Sequence, residues 1–80
     1  MIHFFSRQRC SACSEAKKML SKNKIDVIFH DADTVDGMAE AAYQGVQHFP
    51  AFIITRGESE VWRSEGRVPS LEELGANEGT

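Results

Sequence analysis

Apolar and polar positions along this chain follow two periods, and the switches between them divide it into alternating strands and helices. Ile2-His3-Phe4-Phe5 is a short apolar run that reads as a buried strand, followed by the polar loop Ser6-Arg7-Gln8-Arg9. From Ser11 to about Lys22 the apolar positions recur at helical spacing. Ala12, Ala16, Met19 and Leu20 share one face, and Glu15, Lys17, Lys18 and Lys22 the other. Lys22 and Lys24 crowd the end of this helix, as the dipole prefers, and Asn23 is suited to cap it. Ile25 to Phe29 is nearly continuous in apolar character, as in a parallel strand covered on both faces. The turn His30-Asp31-Ala32-Asp33 leads into a second helix from about Val35 to Gln44. Asp33 or Thr34 can cap its start, Gly45 suits its end, and Met38, Ala42 and Tyr43 are its expected inner face.

Phe52-Ile53-Ile54-Thr55 and Glu60-Val61-Trp62-Arg63 flank the turn Arg56-Gly57-Glu58-Ser59 and predict a hairpin. Ser70-Leu71-Glu72-Glu73 has the Ser-x-x-Glu form of a capping box and predicts a short last helix through Leu74. Residues 75–80 are expected to fray. The order is β-α-β-α-β-β-α, an α/β domain with a four-stranded mixed sheet flanked by helices on both faces. The two β-α-β crossovers predict parallel first strands, and the hairpin adds antiparallel ones. One domain over residues 1–75 accounts for the chain, since 80 residues suffice for a single small core.

Composition narrows the classes of function. The chain is 41% hydrophobic and 26% charged, with a formal net charge of −3, ordinary values for a water-exposed globular chain. The acidic balance, with a pI near 5.5, argues against nucleic acid and anionic membrane surfaces as partners. No apolar run approaches the ~20 residues of a membrane-spanning helix. No basic leader with a long apolar segment is visible, so the cytoplasm is the expected compartment and a monomer the expected state.

The chemistry concentrates in the chain's two cysteines, Cys10-Ser11-Ala12-Cys13, set between the first strand and the first helix. A thiol at a helix N-terminus is driven toward the thiolate by free N–H groups and the helix dipole, and Arg7 and Arg9 add positive charge nearby. Cys10, at the junction, is the expected nucleophile. Cys13, one turn inside, is the expected resolving thiol. Such a pair needs no cofactor, because both electrons reside in the dithiol. Two other uses stay open: half of a metal or iron–sulfur site, and two inert helix cysteines. No second C-x-x-C accompanies the pair, and His3, His30 and His48 are scattered in sequence, so no metal ligands are assigned. A second motif, His48-Phe49-Pro50-Ala51, runs into the third strand; taken alone, Pro50 reads as an ordinary trans proline opening a strand. The acidic turn Asp31-Asp33-Asp36 lacks the loop length of a calcium site and reads as charge preference at a helix start.

A strand, C-x-x-C opening a helix, and a proline some forty residues on at the start of a hairpin together resemble the thioredoxin superfamily over residues 1–75. The short N-terminus and the segment Phe4 to Cys13 are similar to glutaredoxins. The resemblance implies a thioredoxin-like, glutaredoxin-type fold and a thiol–disulfide oxidoreductase. It also implies a cis Phe49–Pro50 bond facing the cysteines and a Phe49 backbone that binds an extended substrate. Disulfide-containing proteins are the implied substrates, with glutathione or thioredoxin reductase as electron donor. Ser11-Ala12 stands where glutaredoxins usually carry Pro-Tyr. In Ser64-Glu65-Gly66-Arg67-Val68-Pro69-Ser70, Gly66 matches the glutathione-gripping Gly-Gly pattern, and Arg67 is a candidate for a partner's carboxylate. Trp62, Gly66, Arg67 and Pro69 also resemble the small redoxins that are recharged by thioredoxin reductase. A redox-sensing domain is the remaining alternative.

Overall fold

The computed structural model describes residues 1–78. Seven elements follow in order: β1 (Ile2–Ser6), α1 (Ser11–Lys22), β2 (Ile28–Asp31), α2 (Val35–Gln44), β3 (Ala51–Arg56), β4 (Ser59–Glu65) and α3 (Leu71–Glu78). The strands form one sheet in the order β2-β1-β3-β4. β1 pairs parallel with β2, aligning Phe4 with Phe29. β3 runs antiparallel to β1, with Phe5 opposite Ala51, and β4 antiparallel to β3.

Alternation along β1 and β3 sends side chains to two cores, one on each face. Ile2, Phe4, Phe52 and Ile54 pack with Ala16 and Leu20 of α1 and Leu74 of α3. Phe5, Ala51 and Ile53 pack with Ala41 of α2. The expected mixed sheet with helices on both faces is therefore present. Trp62, on the edge strand β4, packs partly buried against the first core. No helix among the described residues is long and apolar enough to cross a membrane.

The helix caps follow local chemistry. Gly37 N–H donates to Thr34 Oγ1 at 3.0 Å, Asn23 is the C-cap of α1, and Gly45 closes α2 in the left-handed conformation with φ 73°. Ser70 and Glu73 form the reciprocal capping box: Glu73 N–H donates to Ser70 Oγ at 3.1 Å, and Ser70 N–H to Glu73 Oε1 at 3.0 Å.

Four expectations are corrected. β3 is antiparallel to its neighbours, because it enters the sheet beside Phe5, at the end where β1 and β2 leave it. α2 thus returns the chain to the end it came from. β2 begins at Ile28 and forms an edge, with Ile28 and Phe29 exposed. Ile25 and Val27 pack on the core from the preceding loop, after Lys24 turns the chain with φ 53°. α2 buries Gly37 and Ala41, leaving Met38 and Tyr43 exposed and Ala42 with them. α3 continues beyond Leu74 to Glu78, its last turn held by Asn77 Nδ2 donating to the Glu73 carbonyl at 2.7 Å. The fraying expected at 79–80 lies outside the described residues.

Candidate active site

β1 delivers the chain to the start of α1 through the loop 7–9, and this loop places Cys10 at the helix N-cap. Cys10 has an extended backbone, φ −130° and ψ 105°, and its Sγ accepts a hydrogen bond from Cys13 N–H at 3.2 Å. Ser14 N–H donates to the Cys10 carbonyl at 3.1 Å, closing the first turn. No acidic residue sits in that turn, so the turn itself carries no charge against the negative charge that the helix start favours. Cys10 and Cys13 are joined in a disulfide. The two sulfurs differ in access: Cys13 is 1% exposed, whereas Cys10 is only partly buried.

Cys10 opens onto a cleft of about 640 Å³ lined by Arg7, Gln8, Arg9, Asp33, Gln47, His48 and Phe49. Arg7 lies over the Phe49 ring, with Cζ 5.4 Å from its centroid. Arg9 takes φ 55°, a left-handed backbone on a residue with a side chain, immediately before Cys10. Gln8 N–H donates to Asp33 Oδ2 at 2.5 Å, which ties this loop to the turn before α2. Asp33, read in sequence as a helix-start charge, is thus a support of the cysteine loop.

The opposite wall is the segment before β3. The Phe49–Pro50 peptide bond is cis, Phe49 is partly exposed in the cleft, and Pro50 is buried. Gly66 N–H donates to the Pro50 carbonyl at 3.0 Å. The Glu65 carboxylate, at the end of β4, accepts from Gln47 N–H at 2.8 Å and His48 N–H at 3.1 Å through the same oxygen. Its other oxygen takes Arg63 at 2.8 Å. Burial works against the Glu65 anion, but the Gln47 N–H, the Arg63 guanidinium and the His48 N–H outweigh it and hold the carboxyl below its ordinary value.

The structure brings Cys10, Arg7, Arg9 and Phe49 to one cleft and sets Cys13, Pro50 and Gly66 beside or beneath it. Arg67 is engaged elsewhere. Its guanidinium grips the Glu73 carboxylate at 2.6 and 3.0 Å, and this contact, with the Ser70 N–H, draws the Glu73 carboxyl down to about 2. Gln8, Asp33, Gln47, His48 and Glu65 went unassigned in sequence; only the adjacency of His48 to Phe49-Pro50 hinted at one of them. Among the described residues, no three His, Cys, Asp or Glu side chains converge to hold a metal ion.

No protein-family model matches the sequence, and no curated protein matches it. Solved structures do. A thioredoxin-like protein superposes with a TM-score of 0.70 at 19% identity, covering 96% of this chain and 97% of its own. Thioredoxin 1 from Thermosipho africanus gives 0.68 at 24% identity, over 95% of this chain and 86% of its own. The chain has the thioredoxin fold. A thioredoxin from Thermus thermophilus also matches at 0.68 and 23% identity, over 94% of this chain and 68% of its own. A thioredoxin fold with a disulfide-bonded C-x-x-C pair at the start of α1 supports a redox function.

Proposed function

We propose that the chain is a glutaredoxin-like dithiol–disulfide oxidoreductase that reduces protein or low-molecular-weight disulfides in the cytoplasm. The observation that carries this reading is the asymmetry of the pair: a partly exposed Cys10 sulfur at a helix N-cap in an open cleft, bonded to a fully buried Cys13. In the reduced protein the Cys10 thiolate attacks one sulfur of the substrate disulfide, forming a mixed disulfide and releasing the other sulfur as a thiolate. The Cys13 thiolate then attacks Cys10 Sγ, releasing the second substrate thiol and leaving the Cys10–Cys13 disulfide. Two electrons have passed to the substrate, and a dithiol or glutathione system must return two. Arg7 and Arg9 favour the Cys10 thiolate, and the exposed edge at Phe49, with Pro50 and Gly66 behind it, receives an extended substrate by backbone pairing.

Glutathione and thioredoxin reductase are the two candidate donors. Arg67, already paired with Glu73, offers little to a glutathione carboxylate, which favours the reductase. The roles are tested with single variants. Cys10→Ser should abolish reduction of insulin and of hydroxyethyl disulfide, and Cys13→Ser should accumulate a mixed disulfide visible by mass spectrometry. Retained turnover in Cys10→Ser overturns the assignment. Following NADPH consumption with glutathione and its reductase, or with thioredoxin reductase, separates the donors.

A further inference from the structure

We infer that Glu65 is a positioning residue: its carboxylate fixes the 47–49 segment that forms the substrate wall of the cleft. This rests on the reading of the Cys10 cleft as a disulfide-reducing site. The segment has a hydrogen-bonding deficit of its own. α2 ends at Gln44, and its last carbonyls have no partner within the helix. The chain then crosses from Gly45 to Phe49 without regular structure before β3 begins at Ala51. Loop N–H groups in such a stretch need acceptors, and water would leave the stretch free to move.

β4 supplies what the loop lacks. Arg63 and Glu65 lie two residues apart, on the sheet face that α2 covers, opposite Ile53 and Ala51. The Arg63 guanidinium donates to the Gln44 carbonyl at 2.6 Å and to Gly45 at 3.5 Å, and its remaining N–H groups take Glu60 and Glu65. Glu65 then spends one oxygen on Arg63 and the other on Gln47 and His48 N–H. The clamp therefore runs from the helix end, through one strand, to the backbone that carries the cleft residues Gln47, His48 and Phe49. The Glu65 side chain is 19% exposed, so these bonds are shielded more than a surface pair would be. Arg63 anchors the end of α2, and the Glu65 carboxylate takes the N–H groups of the wall itself.

Glu65→Ala leaves both N–H groups without their acceptor, whereas Glu65→Gln keeps an acceptor oxygen and removes the charge. Each variant and the wild type are assayed with a cysteine-bridged peptide disulfide, which spans the Phe49 wall, and with hydroxyethyl disulfide, which does not. In Glu65→Ala, KM for the peptide should rise about ten-fold, in line with one or two lost hydrogen bonds. KM for hydroxyethyl disulfide and the rate of Cys10 alkylation by iodoacetamide should stay within about two-fold, and Glu65→Gln should recover most of the peptide KM. Amide proton exchange at Gln47 and His48 should quicken in Glu65→Ala. An unchanged peptide KM, or an equal loss with both substrates together with slowed Cys10 alkylation, overturns the inference. If the wild type reduces neither disulfide, the oxidoreductase reading fails and takes the substrate role of Glu65 with it. Amide exchange then reports separately on whether the clamp holds the loop.

Discussion

His30 shows how a single residue's environment sets a pH response. Parallel pairing of β1 and β2 puts Phe5 opposite His30 and His3 opposite Ile28, so two histidines far apart in sequence become neighbours on one face. His3 Nδ1 lies 3.0 Å from His30 Nε2, and His30 also stacks on Phe5 with ring centroids 4.5 Å apart. Burial first, then the nearby charge of His3, push His30 below its ordinary value of 6.5, while Glu40 from α2 pulls the other way. A shared N–H···N bond takes one proton, so protonating both rings breaks it. The folded protein thus resists a proton that the unfolded chain accepts, and stability is full above pH 6.5 and declines as pH falls through the lowered value. Thermal midpoints measured between pH 8 and pH 4 should show this decline. His30→Phe, which keeps a ring on Phe5 but cannot titrate, should flatten the part of the curve nearest neutrality. An unchanged slope in that variant would show that the pair does not govern acid stability.

At the scale of elements, α2 seats itself through small residues. Gly37 and Ala41 face the sheet, and a Cβ added at Gly37 would lie 1.8 Å from the Asp31 carbonyl oxygen. That oxygen belongs to backbone and already accepts from Thr34 N–H at 3.0 Å and Thr34 Oγ1 at 2.7 Å, so it has little freedom to withdraw. Gly37→Ala is therefore expected to lower stability by roughly 3 kcal/mol, despite the better helix propensity of alanine. Urea unfolding measures it, and a midpoint equal to wild type would mean the helix lifts at little cost. This packing explains what was legible in the sequence and what was not. Caps at Thr34, Gly45, Asn23 and Ser70/Glu73 were legible because each is chemistry between residues at most a few positions apart. The inner face of α2 was not, because large apolar side chains outweigh glycine in any periodicity count, and here the large ones, Met38 and Tyr43, face outward. β2 misled for a related reason: Ile25 and Val27 are apolar for core packing from a loop, not for a covered strand.

In the whole molecule, the part of the site carried by consecutive residues was readable, and the part assembled across the sheet was not. Cys10 and Cys13 stand out as a short motif and Phe49-Pro50 through the family resemblance, whereas Asp33 and Glu65 reach the cleft only through strand pairing and loop contacts with distant segments. Charge distribution has the same global character. The chain carries −3 overall, yet Arg63 and Arg67 are consumed by carboxylates. Among the described residues, Arg7 and Arg9 form no ion pair, and both line the cleft around Cys10. A positive rim on an acidic body steers negatively charged substrates and is screened by salt. For a peptide disulfide flanked by glutamates, kcat/KM should fall about three- to ten-fold as ionic strength rises from ~0.02 to ~0.5 M. With lysines in place of the glutamates the trend should reverse or vanish. Arg7→Gln with Arg9→Gln should flatten the glutamate curve and leave the fold intact, since both side chains are exposed. Equal salt slopes for the two peptides, or a slope unchanged in the double variant, would show that these arginines act on the Cys10 thiolate alone and do not select the substrate.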